Sequence, residues 1–370
     1  MIVTLFLCGD VMTGRGIDQI LPHPSKPQLF EPCVRSALAY VDLAEHAVGP
    51  IPRPVGFDYV WGDALAELER VRPDARIVNL ETSVTASESA WPDKGIHYRM
   101  HPANAPCLTA AKLDCCVLAN NHVLDWGRSG LAETLYTLHE AGIRTAGAGR
   151  DAIEAAAPAV IDVSKDVRVL VFAFGMESSG VPSEWKARPA CPGVNWIEDL
   201  SARTVDAIAC QVAAHAHSTD IVVASIHWGS NWGYGISARE REFAHRLIDV
   251  AGIDVVHGHS SHHPKGIEVY RGRVIFYGCG DFLSDYEGIG GHESYRGDLA
   301  LMYFPALDAA NGELVRLFMA PMRTHHFRIN RASPADVSWV LPTMDRECRK
   351  LGARVNQQSD GLLALQWDRA

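Results

Sequence analysis

"IVTLFLCGDVMTGRG", residues 2–16, runs a β-branched and apolar segment straight into Asp10 and a polar, glycine-containing turn. Such a run reads as a buried strand. A carboxylate placed where a strand gives way to a turn is fixed by rigid backbone at the carboxyl edge of a sheet, where metal ligands and catalytic groups collect. The competing role for Asp10 is to cap the following segment, and the rest of the chain decides between the two.

The same construction recurs. "RIVNLE" (76–81), "CCVLA" (115–119), "VRVLVFAFG" (167–175), "DIVVASIHWG" (220–229), "DVVHGH" (254–259), "VIFYGCGDF" (274–282) and "LALMYF" (299–304) are short apolar runs bounded by Gly, Asn and Asp. Between them, "GLAETLYTLHEAGI" sets Leu131, Leu135 and Leu138 on one helical face, and "REREFAHRLIDVAGI" does the same with Phe243, Leu247 and Val250. Strands alternating with helices predict an α/β layered architecture. Polar residues stand at the strand ends: Asn79 and Glu81, then Asn120, Asn121 and His122, then His227, then His257, His259, His262 and His263, then Asp281. Any one of them alone is an ordinary turn residue or packed histidine. Gathered on one sheet edge, a carboxylate, an amide and several imidazoles make a metal or acid/base site.

Composition narrows the alternatives. The net charge of −10 and the absence of a basic run exclude a nucleic-acid surface. The start carries no basic, secretion-type leader and no apolar stretch reaches the ~18 residues of a membrane span, so the expected location is cytoplasmic with no membrane partner. The nine cysteines are odd in number and several lie in strand-like runs, which reads as buried thiols rather than a disulfide framework. Prolines crowd the segment from Pro22 to Pro54, predicting a loop-rich insertion over residues 20–60. The expected organisation is one domain over 1–330, with 331–370 as an accessory wrap.

Six motifs, "GDVMTGR", "NLETSVT", "ANNHVLDWG", "IHWGSNWGY", "GHSSHHPKGIEVYRGRVIFYGCGDF" and "RGDLALMYF", resemble in order those of the CapA family, named for poly-γ-glutamate capsule synthesis, within the calcineurin-like metallophosphatase superfamily. The resemblance implies a four-layer α/β/β/α sandwich with a metal at the strand ends. Carried over by position, it implies Asp10, Glu81, Asn121, His227, His259 and His262 as ligands and His122 as the general acid. Two departures stand out. Met12 occupies the place of an imidazole in the first motif, and Glu81 that of a bridging aspartate. Both point to a single, more oxygen-coordinated ion, with Ca2+ or Mn2+ expected ahead of Zn2+.

The loop "SDYEGIGGHESYRGD" (284–298) brings His292 after a flexible glycine run. With His292 on a lid and Asp10, His122 and His259 at the strand ends, acid/base groups approach a substrate from two sides, which suits Cα epimerisation. On this point the chain resembles a branch of CapA-like proteins that inverts the C-terminal residue of ribosomal lasso peptides. The resulting expectation is a metal-assisted peptide epimerase with a precursor peptide as substrate, Asp10 and His292 leading and His122 and His259 second. Trp228, Trp232, Tyr234 and Tyr286 would then hold an aromatic peptide end. The alternative is a metal-dependent phosphoesterase or amide hydrolase in poly-γ-glutamate metabolism. Oligomeric state is left open.

Overall fold

The structure is a computed structural model in which residues 1–368 are described. Its first strand, Ile2–Val11, shows how the architecture follows from alternation. Val3, Leu5 and Leu7 pack into one core, while Phe6 and Cys8 on the opposite face pack into another, because successive side chains of a strand point to opposite faces. The strand therefore lies in a sheet buried on both sides, which is why it reads as a continuous apolar run.

That sheet has ten strands. One half is parallel: Ile2–Val11, Ala75–Leu80, Cys115–Val117 and Arg144–Ala146 lie side by side. The other half is antiparallel and runs from Ile2–Val11 through Leu299–Asp308 and Glu313–Thr324 to Leu363–Trp367 and Ala353–Gln357. A second sheet of six strands has a parallel centre of Arg168–Gly175, Ile221–His227, Val255–His259 and Arg273–Phe276. Ala159–Asp162 and Ile267–Tyr270 flank it antiparallel.

The two sheets share a core. Leu5, Ile77 and Val117 of the large sheet meet Val171, Val223 and Val255 of the second. Outside the large sheet, Phe6, Val78 and Cys116 pack with Leu131, Leu135 and Leu138 of the helix Gly127–Glu140. Outside the second, Phe172, Ala224 and Val256 pack with Phe243 and Leu247 of the helix Ala238–Ala251. That helix opens on a capping box formed by Ser237 and Glu240 and stops at Gly252, whose φ of 69° is a left-handed conformation that favours glycine.

Residues 334–367 continue the same body. The helix Pro334–Arg349 buries Val337, Val340, Met344 and Cys348 in the core between the sheets, and the strand Leu363–Trp367 pairs with Glu313–Thr324. The proline-rich segment carries the helix Leu38–Val48, with Tyr40, Val41 and Ala44 buried. No helix among the described residues is long and apolar enough to cross a membrane.

Candidate metal centre

Asp10 stands where the first strand is interrupted. It is in register with Asn79 on one side and Asp281 on the other, with an irregularity in both ladders at this position; bulges of this kind re-aim a side chain. Gly9 makes the approach possible, since a Cβ there would sit 1.5 Å from the Gly280 carbonyl oxygen. The Asp10 carboxylate is fully buried and accepts hydrogen bonds from Asn79 Nδ2 at 2.7 Å and from the Ser260 N–H at 3.2 Å.

The second sheet supplies the imidazoles. His227 and His259 are in register at the ends of adjacent parallel strands, and Asp10, His227 and His259 bring one potential ligand atom each within 4.8 Å of one another. The proton positions follow from an anchor at the far end of a chain of bonds. His257 Nε2 lies 2.7 Å from the Cys8 carbonyl oxygen, which can only accept, so His257 Nδ1 is unprotonated and accepts from Ser225 Oγ at 3.0 Å. Ser225 Oγ in turn accepts from His259 Nε2 at 2.9 Å, which leaves His259 Nδ1 as a lone pair. Likewise His227 Nε2 donates to Asn121 Oδ1 at 3.1 Å, leaving its Nδ1 as a lone pair. The two Nδ1 atoms face each other at 2.7 Å, with Asp10 Oδ1 at 3.9 Å from that of His259.

Electrostatics say the same thing. Burial, reinforced by the neighbouring Asp281, lifts the Asp10 carboxyl to about 7. Burial and Asp10 push Glu81 well up. Burial drives both His227 and His259 well below the usual imidazole range, with neighbouring histidines adding to it. Carboxylates and lone pairs crowded in a low-dielectric site lack a positive charge. The donor set therefore fits a divalent cation.

His122 adjoins this group. Its Nδ1–H donates to Asp125 Oδ2 at 2.7 Å, and its Nε2 lies 3.7 Å from Glu81 Oε1, the same oxygen that stands 3.8 Å from His227 Nε2. Lys94 pairs with the other Asp125 oxygen at 2.7 Å. Burial, then Lys94, pushes His122 down to about 4, so it is neutral at physiological pH. Asn79 ties the acids together: it donates to Asp10, lies 3.5 Å from Glu81 and accepts from Asn120.

Of the residues expected to hold a metal, the structure brings Asp10, His227 and His259 into one group, with Glu81 and Asn121 alongside. His262 adjoins the group, near enough to Asp10 and His227 to act on the charge of both. Its Nδ1 is bound to Asp281 at 2.9 Å and its Nε2 to Asn231 at 3.0 Å. His292 lies on the surface loop, stacked on the Trp232 ring at 4.0 Å with 14° between planes. It lines a cavity of about 620 Å³ that also touches His262, Asp281, Trp232 and Tyr286. Trp228 is instead a core residue stacked on Tyr277, and Tyr234 packs with Tyr295 and His263. Met12 is buried, its sulfur taking the Tyr286 hydroxyl at 3.5 Å. Ser225 and Lys94 carried no signal in the sequence, one inside an apolar strand and the other in an irregular loop. Asp125, three residues after His122 in "ANNHVLDWG", could have been found as its partner.

Comparison with known proteins corrects the activity expected from the sequence. The chain is 51% identical over 365 residues, covering 98% of it and 96% of the relative, to a probable polyglutamine synthesis accessory protein of Mycobacterium tuberculosis. It is 28% identical over 278 residues, 75% of it and 62% of the relative, to the PGA biosynthesis protein CapA of Bacillus subtilis. The capsule biosynthesis protein CapA of Bacillus anthracis is 24% identical over 283 residues, 76% of this chain and 60% of the relative. These names belong to polymer and capsule synthesis, so the peptide-epimerase reading and the lasso precursor peptide as its substrate are withdrawn. The acid/base residues misled because histidines and carboxylates gathered in this way are compatible with several reactions. The family described as bacterial capsule synthesis protein PGA_cap matches residues 4–286, and with the near full-length relative this shows that the chain belongs to that family.

Proposed function

We propose that the chain is a metal-dependent hydrolase of the CapA type, acting on an amide or phosphoester bond in the metabolism of a glutamyl or glutaminyl polymer. The order of packing, helices on sheet on sheet on helices, supports the four-layer calcineurin-like reading of its scaffold. The observation that carries the functional reading is the buried Asp10, His227 and His259 group beside a neutral His122 braced by Asp125. The names of the relatives supply the polymer.

A divalent cation held by Asp10, His227 and His259, with Glu81 and Asn121 beside them, would supply Lewis-acid polarisation and acidify water. The chain's own residues do the rest. Asp125 holds the proton on His122 Nδ1, so Nε2 is free to take a proton from attacking water and return it to the leaving group. Asp125 also stabilises the imidazolium formed in between, as an orienting carboxylate does in a catalytic triad. Asn79 and the Ser260 N–H fix the Asp10 carboxylate.

The test is turnover of bis-p-nitrophenyl phosphate and of poly-γ-glutamate and polyglutamine oligomers by protein loaded with manganese or zinc. Chelator-sensitive hydrolysis of any of these, lost in Asp10→Asn, supports the reading. No turnover of any of them with any divalent ion overturns it.

A further inference from the structure

The hydrogen bond between Tyr286 and Met12 is an unequal one. The Tyr286 hydroxyl reaches the Met12 sulfur at 3.5 Å, and a thioether carries no proton, so the phenol donates and the sulfur accepts. Sulfur of this kind is a weak acceptor. The Tyr98 hydroxyl, 2.9 Å from that of Tyr286, therefore donates to it rather than accepting from it. A donor that itself receives a hydrogen bond is polarised and strengthened. The Tyr286 O–H is thus a strengthened donor left on a poor partner.

Its position gives that donor a use. Tyr286 lines the cavity of about 620 Å³ together with His262 and Asp281. Its ring lies 5.5 Å from that of His262, at 79°, and it is near enough to Asp281 and Glu81 for their charges to act on the phenol. Tyr98 meets the other side of the site, its ring edge-on to His122 at 4.5 Å. The two phenols therefore link the His122 side of the metal group to the His262 side. The backbone that carries Tyr286 is held firmly. Asp285, the residue before it, takes Arg15 Nε at 3.0 Å, Arg15 Nη2 at 2.6 Å and the Gly16 N–H at 2.9 Å, which fixes the phenol as a functional group requires. Arg15 is committed to that carboxylate and His262 to Asp281 and Asn231, so the phenol is the donor on this wall with a proton to redirect.

We propose that Tyr286 is a catalytic residue of the hydrolysis: its O–H leaves the Met12 sulfur and donates to the substrate oxygen on which negative charge gathers as water adds to the carbonyl carbon or to phosphorus. The proposal rests on the hydrolase reading and adds an oxyanion donor to it. No proton is transferred; the hydrogen bond strengthens as the charge grows. Tyr98, donating to the Tyr286 oxygen from behind, is a positioning residue. An anionic oxygen is a far better acceptor than a thioether, and a donor aimed where charge develops stabilises the transition state more than the ground state.

The experiment compares the manganese-loaded parent with Tyr286→Phe and Tyr98→Phe, which keep the rings and remove one hydroxyl each. Isothermal titration with methylphosphonate, a tetrahedral anion that is not hydrolysed, measures the donor without turnover. Tyr286→Phe is expected to bind it about 10- to 100-fold more weakly, the usual range for a hydrogen bond to a charged group. Its kcat for bis-p-nitrophenyl phosphate is expected to fall by about 10²- to 10³-fold at nearly unchanged KM, with metal content and melting temperature unchanged. Tyr98→Phe should fall between the two proteins in both measurements. Methylphosphonate affinity or kcat in Tyr286→Phe equal to the parent's overturns the proposal, as does a parent that does not bind methylphosphonate. Tyr286-dependent binding with no turnover in any of the three proteins would count against the hydrolase reading alone.

Discussion

Nδ1 of His227 faces Nδ1 of His259 at 2.7 Å, and the hydrogen bonds behind the two rings leave both atoms unprotonated. Neither lone pair can satisfy the other. A cation between these atoms and Asp10 relieves the repulsion, and the Cys8 carbonyl, His257 and Ser225 hold the His259 ring in the tautomer that makes this possible.

Removing the hydroxyl of Ser225 frees that tautomer. Ser225→Ala is expected to weaken divalent-metal affinity by about 10- to 100-fold, the range for residues that orient a ligating histidine. Ser225→Thr, which keeps the hydroxyl, should restore most of it. Isothermal titration with manganese and zinc checks this, and equal affinity in all three proteins would contradict it.

Asp10 is held near 7 by burial and Asp281, against 3.8 ordinarily. A carboxyl raised in the folded state contributes stability below its unfolded value, and that contribution is lost as pH rises through the folded value. Metal-free Asp10→Asn should therefore melt higher than the parent at pH 8, with the advantage fading toward pH 4. Each unit of separation is worth about 1.4 kcal/mol. Saturating metal should reverse the order at pH 8, because only the parent carboxylate gains a partner. Thermal melts with and without chelator decide it.

Asp125→Asn keeps the shape beside His122 and removes the charge that stabilises its protonated form. Turnover is expected to fall by roughly 10²- to 10⁴-fold, the usual contribution of positioned acid/base groups, with metal affinity unchanged. A pH–rate profile should lose the limb assigned to His122. A proportional loss of metal binding would instead mark Asp125 as part of the metal's support.

Gly9 carries a prediction about the scaffold. Its missing Cβ leaves room for the Gly280 carbonyl, 1.5 Å from where a Cβ would be, and backbone on both sides cannot yield cheaply. Gly9→Ala is expected to destabilise by about 1–3 kcal/mol or more, as overpacking does, and to loosen metal binding by displacing Asp10. Urea unfolding and metal titration of the same protein measure both.

The central parallel strands were legible because each is largely buried on both faces and reads as an apolar run, whereas the edge strand Arg144–Ala146, exposed at Arg144, was not. The antiparallel strand Glu313–Thr324 was not, since Arg316 and Arg323 break its pattern and Pro321 argues against a strand interior. Asp10, His227 and His259 were legible as strand-end residues, and their union follows from parallel register. His262 looked equivalent in sequence, and it stands beside the same group, hydrogen-bonded to Asp281 and Asn231. Ser225 was hidden because its hydroxyl points between strands within "IVVASI", and only the three-dimensional register with His257 gives it a role.

The central claim is that Asp10, His227 and His259 hold a divalent ion. Its most direct test is the metal stoichiometry of the purified chain after manganese or zinc loading and desalting, measured by inductively coupled plasma mass spectrometry beside His259→Ala. One tightly held ion per chain in the parent, lost in His259→Ala while the fold persists by circular dichroism, is the predicted result. No retained ion in the parent, or equal retention in both proteins, would contradict it.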